Sequence, residues 1–486
     1  MNTHWIDPLP SSPSRRELLR RASAGFGALA LAGLLGEEAR AAGANLSARS
    51  PIKGPDPKRP LAPRPPHFPA KAKRVIFLFM HGGPSQVDTF DYKPLLTRDH
   101  GKPLPFDKPR VVSGQTGNLL ASPWKFARHG QSGLWISEVF PEIARRADDL
   151  CVLNGMHGSN SRHGGALLEL HTGSDTFVRP SMGSWVVYGL GTENQDLPGY
   201  VTICPNPSHG GVNNFGSAFL PAVYQGNAIG MTGVPIDQAR FPFIENRTVP
   251  RELQRLQIDL VQKMNHDHLN RVVTDQALEG RIAALELAFR MQATAPEVQD
   301  LSGESAETRR LYGLDDDITR PFGVQCLLAR RFCERGVRFV QASHSYKWDQ
   351  HGGLRKSLAR NAREIDRPIA GLLTDLKARG LLEDTLVLWG GEFGRTPTSQ
   401  GTDGRDHNPQ GYSMWMAGGG VKPGFRHGAT DDYGYYAVEG KVHVHDLHAT
   451  ILHLLGLDHT RLTYRYAGRD FRLTDVYGEV VNEILA

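Results

Sequence analysis

The stretch Arg74-Val75-Ile76-Phe77-Leu78-Phe79-Met80-His81-Gly82-Gly83-Pro84-Ser85 decides how this chain folds. Val75 to Met80 are uninterruptedly apolar. A run this short, closed by glycine and proline, does not make a helix. It also lacks the alternation of a half-exposed strand, so it reads as a strand buried on both faces, the kind found in parallel sheets covered by helices. The glycines after His81 let the backbone come close to a ligand.

The same pattern recurs along the chain. A helical segment, Pro141 to Asp148, precedes a strand at Leu150–Leu153, which ends at Asn154-Gly155-Met156-His157. A helix over Gly164–His171 stops at Gly173, a suitable residue for a left-handed helix end. Tyr200–Ile203 reads as a strand, and Phe322–Glu334 as a helix leading into a strand at Val337–Gln341. A long helix from Leu354 to Arg379 precedes strands at Thr385–Trp389 and Tyr412–Ala417, and Asp446 is placed to cap a helix over Leu447–Leu455. The charged, helical stretch from about 250 to 295 reads as an insertion. Strands alternating with helices predict a three-layer α/β/α sandwich around a mostly parallel sheet, with ligands bound at the carboxyl ends of the strands. The expected α/β domain covers residues 71–486.

The segment before it reads as an address and a tether. Arg15-Arg16 is followed by an apolar run from Ala22 to Leu35 and by Ala39-Arg40-Ala41, so residues 1–41 read as a twin-arginine (Tat) export signal. The apolar run is shorter than the roughly 20 residues that a spanning helix needs, so no transmembrane span is expected in the mature protein. Export to the periplasm or the extracellular space follows. Residues 42–70 read as a Pro-rich linker, with eight prolines between Pro51 and Ala70.

Composition excludes several classes of function. With 56 basic and 51 acidic residues the formal charge is +5, too mild and too evenly spread for nucleic-acid binding. The four cysteines, Cys151, Cys204, Cys326 and Cys333, contain no C-x-x-C pair, which argues against a thiolate zinc site. Cys326 and Cys333 fall on one helix about 10 Å apart along its axis, beyond the reach of a disulfide. The 20 histidines stand out instead.

Those histidines gather with carboxylates at predicted strand ends. His81 lies in one cluster with Asp88 and Asp91, and His157 to His163 form a second, containing Ser159 and Ser161. Ser343-His344 leads to Asp349-Gln350-His351-Gly352-Gly353, Gly390-Gly391 leads to Glu392 and Arg395, and Arg405-Asp406-His407 precedes the strand at Tyr412. Five such clusters on one sheet edge point to a metal site of mixed nitrogen and oxygen ligands, which suits Zn, Mn or Fe. The later histidines, His443, His445, His448, His453 and His459, read as packing around Asp446.

Longer motifs carry a resemblance. FMHGGPSQVDTFDYKP at Phe79–Pro94, WDQHGG at Trp348–Gly353, GGEFGRTP at Gly390–Pro397, GRDHNPQGYSMWMAGGG at Gly404–Gly420 and the tail HVHDLHATILHLLGLDH resemble the family called domain of unknown function 1501 over about residues 65–486. The resemblance implies a sulfatase-like protein of the alkaline phosphatase and sulfatase superfamily. It implies that Asp349, His351 and His407 match the Asp/His/His ligands of one superfamily metal site. His81 stands where the superfamily has a metal-binding aspartate, and Glu392-Phe393 where it has an Asp-His pair. His163 falls at the nucleophile position, counting back from Leu170-His171-Thr172-Gly173. No C-x-P-x-R or S-x-P-x-R motif stands near Ser159–His163, so the formylglycine nucleophile of sulfatases is absent.

The expectation is an exported hydrolase of phosphate or sulfate esters that uses a divalent metal: Zn, Mn or Ca. The metal ligands expected are His81, Asp349, His351, Glu392 and His407. The catalytic residues expected are His163, Ser161 and Arg395, the last holding the anionic substrate. The expected partner is a small anionic ester or a sulfated or phosphorylated glycan. The alternative is a catalytically inactive binding module for anionic glycans on the same fold.

Overall fold

The computed structural model describes residues 54–56, 59–107, 114–115, 117–245, 248–269 and 276–486. The twin-arginine segment and the expected cleavage site at Ala41 lie outside the described residues. From residue 59 the Pro-rich stretch is already docked: Leu61 is buried, the Arg64 backbone N–H donates to the Leu190 carbonyl, and Lys71 and Ala72 bond to the Leu454 carbonyl. From residue 59 onward the chain satisfies backbone groups on the domain.

The central sheet has nine strands among the described residues. They are β1 (Arg74–Met80), β2 (Leu150–His157), β3 (Tyr200–Ile203), β4 (Asn227–Ile229), β5 (Phe339–His344), β6 (Thr385–Gly390), β9 (Tyr412–Ala417), β10 (Phe425–His427) and β11 (Val442–His443). A separate two-stranded ribbon, β7 (Gly394–Gln400) and β8 (Gly404–Asn408), comes between β6 and β9. The sheet order is β10-β2-β9-β6-β1-β5-β3-β4, with β11 beside the end of β2. Only β9 runs against its neighbours. This is a mostly parallel sheet, as the apolar runs predict. Strands β1, β5, β6 and β9 are buried along their whole length, which requires cover on both faces.

The helices that matter for the site are α1 (His163–Thr172), α5 (Arg320–Glu334), α6 (Leu354–Ala378) and α7 (Val444–Leu454). Between α1 and α5 lie α2 (Met182–Leu190), α3 (Arg251–Leu269) and α4 (Gln276–Gln299), the last two running through the stretch read as an insertion. Helix α1 ends at Gly173 with φ 71°, the left-handed position that favours glycine. Helix α7 begins a turn earlier than expected. His443, not Asp446, is its N-cap: the His443 ring accepts the His445 N–H, while Asp446 reaches back to the His443 N–H. All four cysteines are free and buried.

Register brings the strand ends level. Met80 pairs with His344, and Phe79 with Gly390, so the segments leaving β1, β5 and β6 start side by side. The β8 cluster reaches the same edge for the opposite reason. It precedes β9, which runs antiparallel and so starts where the others finish, with Tyr412 beside Met156.

Candidate metal centre

His163, Asp349, His351 and His407 each offer a ligand atom, and these atoms lie within 4.8 Å of one another. Bonds of about 2.0–2.2 Å to one ion place its ligands up to about 4.4 Å apart, close to these separations. The four groups come from three pieces of chain: the first residue of α1, the loop after β5 for Asp349 and His351, and β8 for His407. Gly82 allows the Asp349 loop to approach, since a Cβ there would sit 2.5 Å from the Asp349 backbone nitrogen. A Cβ at Gly404 would collide with the His351 carbonyl.

The three imidazoles are oriented in one manner. His163 Nδ1 donates to Glu392 Oε1 at 2.7 Å, His407 Nδ1 donates to the Ser161 carbonyl at 2.7 Å, and His351 Nδ1 donates to the Gln400 side-chain oxygen. All three Nε2 atoms face Oδ1 of Asp349, at 3.3 Å from His163, 3.0 Å from His351 and 3.1 Å from His407. A ring that donates through Nδ1 presents a lone pair at Nε2 when neutral, which is how histidine binds a metal. Burial lowers the pKa of His407, outweighing the neighbouring Asp349 carboxylate, and so favours the neutral ring. Its lone pair then meets a carboxylate oxygen, an arrangement that a cation between them stabilises.

Asp349 stays ionised. Burial works to raise its pKa, but its close contacts with His163, His351 and His407 and the Arg395 charge hold it well below the usual carboxylate range. The Tyr346 hydroxyl donates to its other oxygen at 2.6 Å. Glu392 is buried, accepts His163 Nδ1 and the Gly82 N–H, and is held at about 2 by these partners and by His81 in spite of its burial. His351 is raised, first by its hydrogen bond to Asp349. For His163 burial acts downward, and its hydrogen bonds to Asp349 and Glu392 outweigh it. Protons and a metal therefore compete for the same nitrogens.

The expected residues divide. His81 is buried with neither ring nitrogen hydrogen-bonded, and burial brings it down to about 4. It lies outside the four-atom cluster, next to Tyr346 (ring centroids 4.7 Å apart) and His163 (6.4 Å). Glu392 is also outside, because its oxygens are spent on His163 and Gly82. His163, expected as a catalytic residue, stands inside the cluster. Ser161 contributes its carbonyl. Arg395 needs correcting as a substrate clamp: it is fully buried and donates to the carbonyls of Gly82, Gly83, Trp348 and Arg405 and to Asp349 at 2.6 Å. Its guanidinium is engaged with the protein at all three nitrogens and ties three loops together.

Sequence reasoning missed Tyr346, Gln400 and His209. Tyr346 lay inside the 343–351 segment but carried no motif. Gln400 reaches the site only because β7 and β8 pair. His209 follows β3, and its ring lies 5.2 Å from that of His163. The late histidines are structural: His445 and His448 donate to the carbonyls of Gly173 and Leu170.

A mostly parallel sheet with an Asp/His cluster at its carboxyl edge defines an α/β protein with a site able to hold a metal. The chain belongs to the family described as "Protein of unknown function (DUF1501)", whose pattern matches residues 72–485. No curated protein matches it in sequence. Among solved structures it is similar to the PsFucS1 sulfatase from Pseudoalteromonas sp. (14% identity, 80% of this chain and 68% of that one, TM-score 0.31). It is also similar to the alkaline phosphatase from the Antarctic bacterium TAB5 (9% identity, 79% and 98%, TM-score 0.31) and to Ps i-CgsB (10% identity, 79% and 72%, TM-score 0.35). Among the described residues no helix is long and apolar enough to cross a membrane.

Proposed function

We propose that this protein is an exported, metal-dependent hydrolase of phosphate or sulfate esters. The observation that carries the reading is the common orientation of His163, His351 and His407, each anchored through Nδ1 and aimed through Nε2 at Asp349. These four residues would hold one divalent ion: Zn, Mn or Ca. When bound, the ion supplies Lewis-acid stabilisation of the charge that develops on the ester oxygens. Glu392, Gln400 and the Ser161 carbonyl orient the rings, and Arg395 and Tyr346 hold Asp349.

A second reading is a binding module for anionic glycans without turnover. One observation favours it: His163, at the nucleophile position, has Nδ1 held by Glu392 and Nε2 aimed at Asp349. Metal analysis of the purified protein, followed by turnover of aryl phosphate and aryl sulfate, separates the two. Stoichiometric metal with turnover supports the hydrolase. Full metal with no turnover supports the binding module. Absence of metal removes the basis of the hydrolase.

A further inference from the structure

Helix α3 is amphipathic, but it turns its polar side to the protein. Arg255, Ile258, Gln262 and Asn265 recur at intervals of three and four residues and form its less exposed side. Gln262 is buried and donates to the Ile282 carbonyl of α4 at 3.1 Å. Arg255 donates to Glu286 of α4 at 3.2 and 3.1 Å, and its guanidinium lies 5.1 Å from the centroid of the Phe289 ring. A surface helix that only covers a core places leucines at such positions.

The leucines of α3 lie on the opposite side. Leu253, Leu256, Leu260 and Met264 follow at intervals of three, four and four residues, which sets them in one line along the helix. They are 49%, 65%, 61% and 64% exposed, and Val261 beside them is 44% exposed. Single apolar residues on a surface are ordinary, whereas a continuous apolar line marks a contact surface. Burial of this line is worth about 25 cal/mol for each Å² removed from water.

The line fits a copy of itself. Against a second α3 laid antiparallel, Leu253 meets Met264 of the other copy and Leu256 meets Leu260, all about a common centre. Glu252 and Lys263 lie along one flank of the line, eleven residues or about three turns apart. The antiparallel arrangement brings each Glu252 to the Lys263 of the other copy. A parallel arrangement would set this flank against the uncharged flank of Gln257 and Val261. Glu252 and Lys263 are exposed, and among the described residues neither has an ion-pair partner in its own chain. Asp259, the other charge on that flank, is already paired with Arg255 at 2.8 Å. One lysine balanced by one glutamate does not suit an anionic lipid surface, which draws helices with a basic polar face. Covering the line on both copies removes on the order of 1,000 Å² from water, near the lower limit of specific interfaces.

We propose that α3 is a dimerisation helix that packs antiparallel against α3 of a second copy of this chain. The test is sedimentation of the purified protein through the micromolar range, as the full chain and after removal of residues 1–41. A reversible dimer should form in both. Leu256→Glu with Leu260→Glu should weaken it at least roughly a hundredfold, with circular dichroism unchanged. Glu252→Lys or Lys263→Glu alone should weaken it roughly threefold to tenfold, and the two together should restore it. A monomer at every concentration, a dimer indifferent to the leucine variants, or charge variants that do not rescue one another overturns the proposal. Association that disappears with residues 1–41 overturns it as well. Binding to phosphatidylcholine vesicles by a monomeric protein, abolished by the leucine variants, assigns the line to lipid and overturns the second copy.

Discussion

His407 Nε2 lies 3.1 Å from Asp349 Oδ1, and its orientation is set from the far side of the ring, where Nδ1 donates to the Ser161 carbonyl. Burial lowers the pKa of this imidazole, and in the neutral ring the contact brings a lone pair against an anion. The pair is stable when a cation lies between them, and the metal reading turns on it.

His407→Ala should therefore lower metal content sharply, since it removes one of four ligands. Elemental analysis after dialysis measures it. Retention of stoichiometric metal would show that His407 is not a ligand.

Glu392→Gln should act on the metal indirectly. The substituted amide keeps the shape but loses the charge that orients His163. Metal affinity should fall roughly 10–100-fold, the usual effect of an outer partner of a ligating histidine. A competition titration with a chelator reads it, and an unchanged affinity would remove Glu392 from the design.

Asp366 gives a stability test away from the site. Its carboxylate accepts the N–H groups of Glu142 and Ile143, both at 2.8 Å, and burial raises its pKa to about 7 in spite of them. The folded state thus holds this proton more tightly than the unfolded state. The contribution of Asp366 is full below about pH 4 and is lost as pH rises toward 7. The stability difference between wild type and Asp366→Asn should shift against the wild type across that window, by at most about 4 kcal/mol. Denaturant unfolding at pH 5 and pH 8 checks it; a difference independent of pH would contradict the assignment.

Replacing Arg15 and Arg16 by Lys should leave the precursor in the cytoplasm if the leader uses the twin-arginine route. Fractionation and blotting decide it, and normal export of the variant would sink the assignment.

The sequence by itself determined the sheet and its helices, because burial on both faces leaves unbroken apolar runs such as Val75–Met80, and helices need a contrasting period. It also placed Asp349, His351 and His407 at strand ends, since glycine-rich turns after buried strands mark where ligands are met. The role of each polar residue was decided by tertiary structure alone. Arg395 looked free to bind an anion until the loops of Gly82, Trp348 and Arg405 closed on its guanidinium. His163 and Glu392 are 229 positions apart, and only the meeting of α1 with the end of β6 makes one orient the other. Gln400 became an anchor for His351 through the pairing of β7 with β8. Ring orientation and charge coupling depend on distances of a few ångströms between residues remote in sequence, and no local pattern of apolar and polar residues encodes them.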